Sequence, residues 1–324
     1  YKMSKLFNGE FVVFNAESNL CLNPFSVANI ETLDSFYQFM TGFIYTMAHP
    51  GDASQQYEGW CKATITEIIR SVWITCQEQG RKPDMQDVIN MLAKHSDHRA
   101  QDMAVQLGAF GVDGHYGKYF NGQGKLDFEG DFIVFELEEV SQDKHLQNLI
   151  FILLIHYVTE KMYLSDRSKR MSLIIDEAWD MLKGGQGADI IESIARRARK
   201  YNGNLWTGTQ GVNDYNASPA ARAAWNNSYW QALLSQDKSS ITKAVKDGLL
   251  EIDPFEERLM KDVHTEQGSF SEILLRGKSG EYAVGRFMLD PFSNAVYSTQ
   301  AREFYEFNNL LDAGVTTLDA LTQI

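Results

Sequence analysis

Leu173-Ile174-Ile175-Asp176-Glu177-Ala178-Trp179 is the stretch whose reading decides the fold. Its apolar half is too short and too uniform for an amphipathic helix, and it reads as a strand buried on both faces, the habit of parallel sheets. A parallel strand that ends in Asp-Glu delivers both carboxylates to its carboxyl edge, where open α/β sheets take ligands. Asp176 in that position can hold Mg²⁺, directly or through water. Glu177 can orient and deprotonate a water attacking a γ-phosphate. A merely solvated strand end is the alternative for any apolar run followed by an acid. The second acid and the Ala-Trp that follows favour the strand end of a nucleoside-triphosphatase core.

The flanking sequence fits such a core. Phe132 to Leu137 reads as a strand, Asp143 to Leu164 as a helix, and Ser172 to Ile175 as the strand above. A helix from about Ala188 to Lys200 leads to strands at Asn204 to Thr209 and Ser228 to Leu234, with Ser239 to Lys246 helical. Strands separated by helices predict a mostly parallel sheet covered on both faces. Phe270 to Arg276 and Glu281 to Leu289, on either side of Gly277-Lys278-Ser279-Gly280, predict an antiparallel hairpin that closes it. Gly9 to Phe14 is a further strand, and Asn15 to Asn23 a loop. Between Ala28 and Leu107 the apolar residues recur at spacings of three and four (Leu33, Phe36, Phe39, Met40, Phe43, Ile44, then Ile65, Ile68, Ile69, Val72, Trp73), and Pro50-Gly51 and Gly80 to Pro83 break the pattern. This is an all-helical block. The division expected is 1–27 as part of the nucleotide-binding core, 28–128 as helical insertion and connector, 129–300 as the core with the Asp-Glu strand, and 301–324 as a helical tail.

Two more features fall beside the Asp-Glu strand. Gln210 ends the next strand and can sense a γ-phosphate or position the water, although a lone amide is more often a loop residue. The helix between the strands ends Arg196-Arg197-Ala198-Arg199-Lys200. Cations there complement the helix dipole. A sharper reading makes Arg199, nearest the strand, an arginine finger that reaches the nucleotide of a neighbouring subunit. A phosphate-cradling GxxxxGK[ST] loop is missing from these residues. Its nearest echo, Arg276-Gly277-Lys278-Ser279-Gly280, has Glu272 where the first Gly is required and reads as a hairpin turn with a cation in solvent. Gly111 to Gly124 is Gly-rich but leads into a strand and reads as a connector. His95 and His98 have no accompanying acid or Cys cluster.

Composition narrows the classes. Acids outnumber bases 43 to 30, a net charge of −13, so there is no strong nucleic-acid signature. Three cysteines without a CxxC pair fit a reducing compartment and offer no disulfide framework. The most apolar run, Leu149 to Ile155, falls well short of the ~20 residues of a membrane span. A cytoplasmic chain is expected, meeting the inner membrane only through partners. Tyr1 to Leu6 reads as the middle of a helix, and both ends look cut.

Taken in order, several short motifs resemble the C-terminal ATPase domain of the conjugative TraC family, the assembly ATPases of type IV secretion systems. They run from Phe11 to Phe14 and Leu22-Asn23-Pro24-Phe25, through Gly114-His115-Tyr116-Gly117 and Phe120-Asn121-Gly122, to Leu173 to Trp179, Ala198 to Gly203 and Thr209-Gln210. Phe270 to Ile273, Val284 to Phe287, Leu289 to Ser293 and Tyr297-Ser298-Thr299 complete the series. The resemblance implies a RecA-like P-loop NTPase core with an all-helical insertion, assembly into a ring (a hexamer), and sites between subunits. It implies hydrolysis of ATP with Mg²⁺ to drive pilus or channel assembly and substrate transport. The partners would be inner-membrane secretion-channel components and the coupling protein. By motif, Asp176 takes the Mg²⁺ role, Glu177 the water-activating role, Gln210 the sensing role and Arg199 the trans-acting role. The family's phosphate loop would precede Tyr1, so this stretch alone is expected to bind ATP weakly and to hydrolyse nothing. The alternatives are a DNA-translocating coupling-protein ATPase and a non-catalytic scaffold that keeps the fold.

Overall fold

The structure is a computed structural model that describes residues 1–15, 20–27, 33–49, 57–124, 130–178, 181–183 and 185–324. Trp179, Pro50-Gly51, residues 16–19 of the loop expected from Asn15 to Asn23 and the first residues of the helical block lie outside the described residues.

A short helix α1 (Lys2–Leu6) and strand β1 (Glu10–Val13) are followed by α2 (Leu33–Ala48), α3 (Glu58–Glu78), α4 (Met85–Ala93), α5 (His98–Gln106) and α6 (Gly117–Phe120). Local chemistry sets several boundaries. Asp84 caps α4 and exchanges bonds with Asp87 in a capping box, which satisfies two otherwise orphaned amides. No strand occurs among the described residues between β1 and β2 (Ile133–Glu136). The helices do not build a core of their own. Phe36, Met40, Phe43, Ile65, Ile69 and Leu92 pack in one cluster with Phe14 beyond β1 and with Leu149, Ile150, Ile152, Leu153 and Leu154 of the next helix, α7 (Lys144–Leu164).

Helix α7 is the spine. Asp143 caps it by accepting from Leu146 N at 3.0 Å, and it carries apolar residues almost all round, the mark of a helix buried on most sides. Its first turns belong to the helical cluster. Ile155 and Met162 belong to a second cluster with β3 (Met171–Ile175), α8 (Gly185–Arg197) and the elements beyond. Those are β4 (Gly203–Thr207), α9 (Pro219–Asn227), β5 (Trp230–Leu233), α10 (Lys238–Lys246), α11 (Pro254–Asp262), β6 (Thr265–Glu266), β7 (Phe270–Gly277) and β8 (Tyr282–Phe287).

The strands form three ladders rather than the single sheet expected. β1 pairs parallel with β2, β3 parallel with β4, and β5-β7-β6 antiparallel with β8 added to β7. The β7–β8 hairpin turns where the sequence places it, with Gly280 at φ +90° and Gly277 N bonded to Glu281 O at 2.8 Å. Lys278 is exposed at this turn and donates to Asn226 O. Coverage on both faces holds only in part. Ile174 and Trp206, opposite one another in register, are 69 % and 58 % exposed, so no described element packs on that side of β3–β4.

The tail is two helices, α13 (Ala301–Asp312) and α14 (Thr317–Gln323), preceded by α12 (Pro291–Tyr297). They close a third small core on Met3 and Leu6 of α1 through Val296, Phe307, Ala320 and Leu321. Lys2 is buried there, and its ammonium donates to Ala295 O and Ser298 O at the carboxyl end of α12. Burial lowers its pKa, a shift opposed by Glu303. No helix among the described residues is long and apolar enough to cross a membrane.

One buried group ties stability to pH. The His156 ring of α7 stacks on Phe39 of α2 at 3.5 Å between centroids, and burial lowers its pKa to about 3. The unfolded chain takes up this proton near 6.5 and the folded chain does not. The stabilisation from a neutral His156 is therefore complete above about 6.5 and lost as pH falls toward 3, by up to ~1.4 kcal/mol per pH unit. His156→Phe keeps the stacked ring and removes the proton. In urea titrations between pH 7.5 and 4.5, wild type is expected to lose about 2–3 kcal/mol more than this variant. Parallel losses would refute the assignment.

Candidate functional site

The site grows from the end of β3. Ile175 is opposite Thr207 in the parallel ladder, and the ladder continues by two bonds past the strands: Gly208 N to Ile175 O and Ala178 N to Gly208 O, each 2.8 Å. Asp176 and Glu177 sit between those two anchor points. The excursion puts Glu177 at φ +50°, a left-handed conformation that costs a non-glycine residue ~1–2 kcal/mol and recurs at functional sites. Asp176 Oδ1 accepts from Glu177 N at 3.0 Å, which braces the turn.

Gly208 makes the close approach possible. A Cβ there would lie 3.0 Å from Asp176 Oδ1. Strand β4 therefore ends at Thr207, two residues earlier than the sequence reading, and the chain leaves as a loop. Tyr215 fixes that loop. Its hydroxyl lies 2.6 Å from Thr207 Oγ1 and donates to Thr207 O at 3.1 Å, while its ring packs on Trp225. Burial raises the Tyr215 phenol, so it stays protonated as a donor; the Thr207 and Thr209 hydroxyls oppose the shift. Gln236, in the loop after β5, accepts from Val212 N at 3.1 Å and reaches Gln210 O at 3.5 Å.

Gln210 thus arrives beside Glu177. Its Nε2 lies 3.1 Å from both Oε1 and Oε2 of Glu177. One amide N–H₂ group aimed at both oxygens fixes the carboxylate plane. All three side chains, Asp176, Glu177 and Gln210, are exposed at the carboxyl edge of β3 and β4.

Arg199 is not with them. It lies in the 3-10 turn Ala198–Tyr201 that precedes β4, exposed at the opposite end of the strand pair. The five residues of β4 alone span about 16 Å. An arginine cannot cross that to its own Glu177, so any role at the carboxyl edge is toward another subunit. The helix expected over 188–200 is α8 to Arg197 and then this tighter turn, closed by Asn202 at φ +56°.

Fit to Mg²⁺ is a matter of donor chemistry. Asp176 offers a hard carboxylate oxygen at the strand edge, with Oδ1 engaged by Glu177 N and Oδ2 without a hydrogen bond among the described residues, where it could meet a hydrated cation. Sequence reading did not single out Gly208, Tyr215 or Gln236. Only Gly208 carried a signal, a Gly placed between two threonines at a strand end.

The chain is 29% identical to protein TraC of Escherichia coli (strain K12) over 94% of its own length, and it spans 36% of that protein. Among solved structures, VirB4 of Thermoanaerobacter pseudethanolicus superposes with a TM-score of 0.72 at 19% identity, covering 90% of this chain and 80% of the other. The plasmid coupling protein TrwB, in complex with the non-hydrolysable GTP analogue GDPNP, gives 0.50 at 10% identity, over 85% of this chain and 66% of its own. Both likenesses concern the fold. The TraG P-loop domain matches residues 62–322, and the chain belongs to that family.

Proposed function

We propose that the chain is the hydrolytic half of an ATPase that powers a type IV secretion or conjugation machine, driving pilus or channel assembly and substrate transport. The observation that carries the reading is the Asp176-Glu177 turn at the carboxyl edge of β3, with Gln210 bonded to Glu177 from β4. Glu177 takes the proton of the attacking water, Gln210 holds the Glu177 carboxylate in plane, and Asp176 binds the hydrated Mg²⁺ that offsets phosphate charge. Arg199 serves the nucleotide of the next subunit in a ring, a hexamer in this reading, and residues 28–128 are the helical insertion and connector of a RecA-like core.

The phosphate loop comes from polypeptide outside these 324 residues. Among the described residues β4 pairs only with β3 and β5 only with β7, so each keeps an open edge where a further strand can join. The exposed Ile174–Trp206 face is open to cover in the same way. Partners are the inner-membrane channel components and the coupling protein. A DNA-pumping role is the weaker reading, since the TrwB likeness is more distant than that to VirB4 and the chain is acidic.

The test is Mg²⁺-dependent ATP hydrolysis by the longer polypeptide, beside its sequence upstream of Tyr1. Turnover, together with a GxxxxGK[ST] motif after a strand, is expected. No such motif and no turnover would leave the scaffold reading.

A further inference from the structure

Strands β4 and β5 do not pair among the described residues, yet the loops that leave their carboxyl ends are tied together. The main link is one amide. Gln236 lies shortly past Leu233, the end of β5, and is half-buried. Asp237 caps α10 by accepting from Ser239 N and Ser240 N, which fixes the path of the backbone next to Gln236. From there the side chain crosses to the loop after β4, where its Oε1 accepts from Val212 N at 3.1 Å. Its Nε2 faces two carbonyls, Ser235 O at 3.3 Å and Gln210 O at 3.5 Å. With an N–H on one side and carbonyls on the other, only one orientation of the amide satisfies all three. A second tie runs the other way. Asn213 Nδ2 donates to Ser240 O at 3.0 Å, so the 3-10 turn Val212–Asn216 is joined to the first turn of α10.

These ties bracket Gln210. Gln236 and Asn213 hold the backbone on its carboxyl side, and the Tyr215 hydroxyl holds Thr207 on its amino side. The Gln210 side chain leaves from between these anchors and ends with Nε2 at 3.1 Å from both oxygens of Glu177. A glutamine side chain is long and rich in rotamers, so a fixed backbone limits where its amide can go. Contacts therefore run in an unbroken series from the end of β5, through the loop after β4, to the turn after β3.

We propose that Gln236 is a positioning residue for the hydrolytic step: by holding the backbone at Gln210 and Val212, it keeps the Gln210 amide on the Glu177 carboxylate. The inference rests on the hydrolytic role proposed for Glu177. It makes the segment between β5 and α10 part of the site's support, acting through Gln210 and not on the nucleotide. A displacement of about 1 Å in such a support can cost ~10²-fold in rate.

The test uses the longer polypeptide. Gln236→Leu keeps most of the bulk and removes every polar contact. It is expected to lower kcat by ~10–10²-fold and to leave KM for ATP within about threefold. In a Gln210→Ala background the same change is expected to cost less than about twofold, because the group it positions is gone. Losses that multiply across the two sites, a raised KM with kcat intact, or unchanged turnover in Gln236→Leu overturns the proposal. Gln236→Glu keeps the acceptor for Val212 N but sets a carboxylate against two carbonyls, and an intermediate loss is expected. If neither variant folds, Gln236 serves stability and the proposal is lost. Hydrogen exchange without nucleotide reads the tie itself: the Val212 amide is expected to exchange about tenfold faster in Gln236→Leu. Faster exchange in a protein whose wild type never hydrolyses ATP would sink the ATPase reading and keep the tie. Wild-type turnover with unchanged exchange in the variant would keep the ATPase and sink the tie.

Discussion

Glu177→Gln, in the polypeptide that carries the phosphate loop, is expected to bind Mg²⁺-ATP with near wild-type affinity and to lose turnover by ~10²–10⁴-fold, the range of a removed general base. The reason lies in the turn after β3. Glu177 is held at φ +50° between two bonds to Gly208 and is oriented by the Gln210 amide. Gln keeps the size and the turn but cannot take a proton. Gln210 then faces an amide in place of a carboxylate, so the plane loosens as well. Binding by fluorescence titration and hydrolysis by phosphate release separate the two effects. Near-normal turnover would remove Glu177 from the chemistry, and lost binding would make it a ligand-holding residue instead.

Arg199→Ala is expected to cost more, ~10³–10⁵-fold in the assembled enzyme, the range of an arginine finger. The geometry makes this a test of assembly, since Arg199 and Glu177 occupy opposite ends of the same strand pair. Mixing the Arg199→Ala and Glu177→Gln proteins, each inactive alone, should recover activity, because some interfaces then pair an intact Glu177 with an intact Arg199. Mixtures as inactive as their parents would count against a shared site. An equal loss from Arg199→Ala in monomers would point to a role in folding of the turn before β4.

Much of the core was legible because the local signals agreed. The all-round apolar character of α7 and the short runs at β2, β3 and β4 fixed type and order, and Gly277 to Gly280 fixed the hairpin. Asp176, Glu177 and Gln210 could be placed at one edge because a parallel strand ends where its apolar run ends. Three helices were missed although each begins with a capping residue followed by Pro at the first helical position: Ser218-Pro219, Asp253-Pro254 and Asp290-Pro291. Their apolar stripes are thin, so periodicity alone passed over them. The separate ladders and the exposed Ile174–Trp206 face were beyond local reading, since apolar strands report what could be covered and not what covers it. The position of Arg199 relative to Glu177 likewise depended on the length and direction of β4, not on any motif.

A structure of the longer polypeptide with Mg²⁺, ADP and a γ-phosphate mimic such as aluminium fluoride tests the central claim most directly. The nucleotide is expected at the carboxyl edge of β3 and β4, with a Mg²⁺-bound water on Asp176, the in-line water about 3 Å from a Glu177 oxygen, and a neighbour's Arg199 at the fluoride. A nucleotide bound at another edge, with Asp176 and Glu177 both facing bulk solvent, would contradict it.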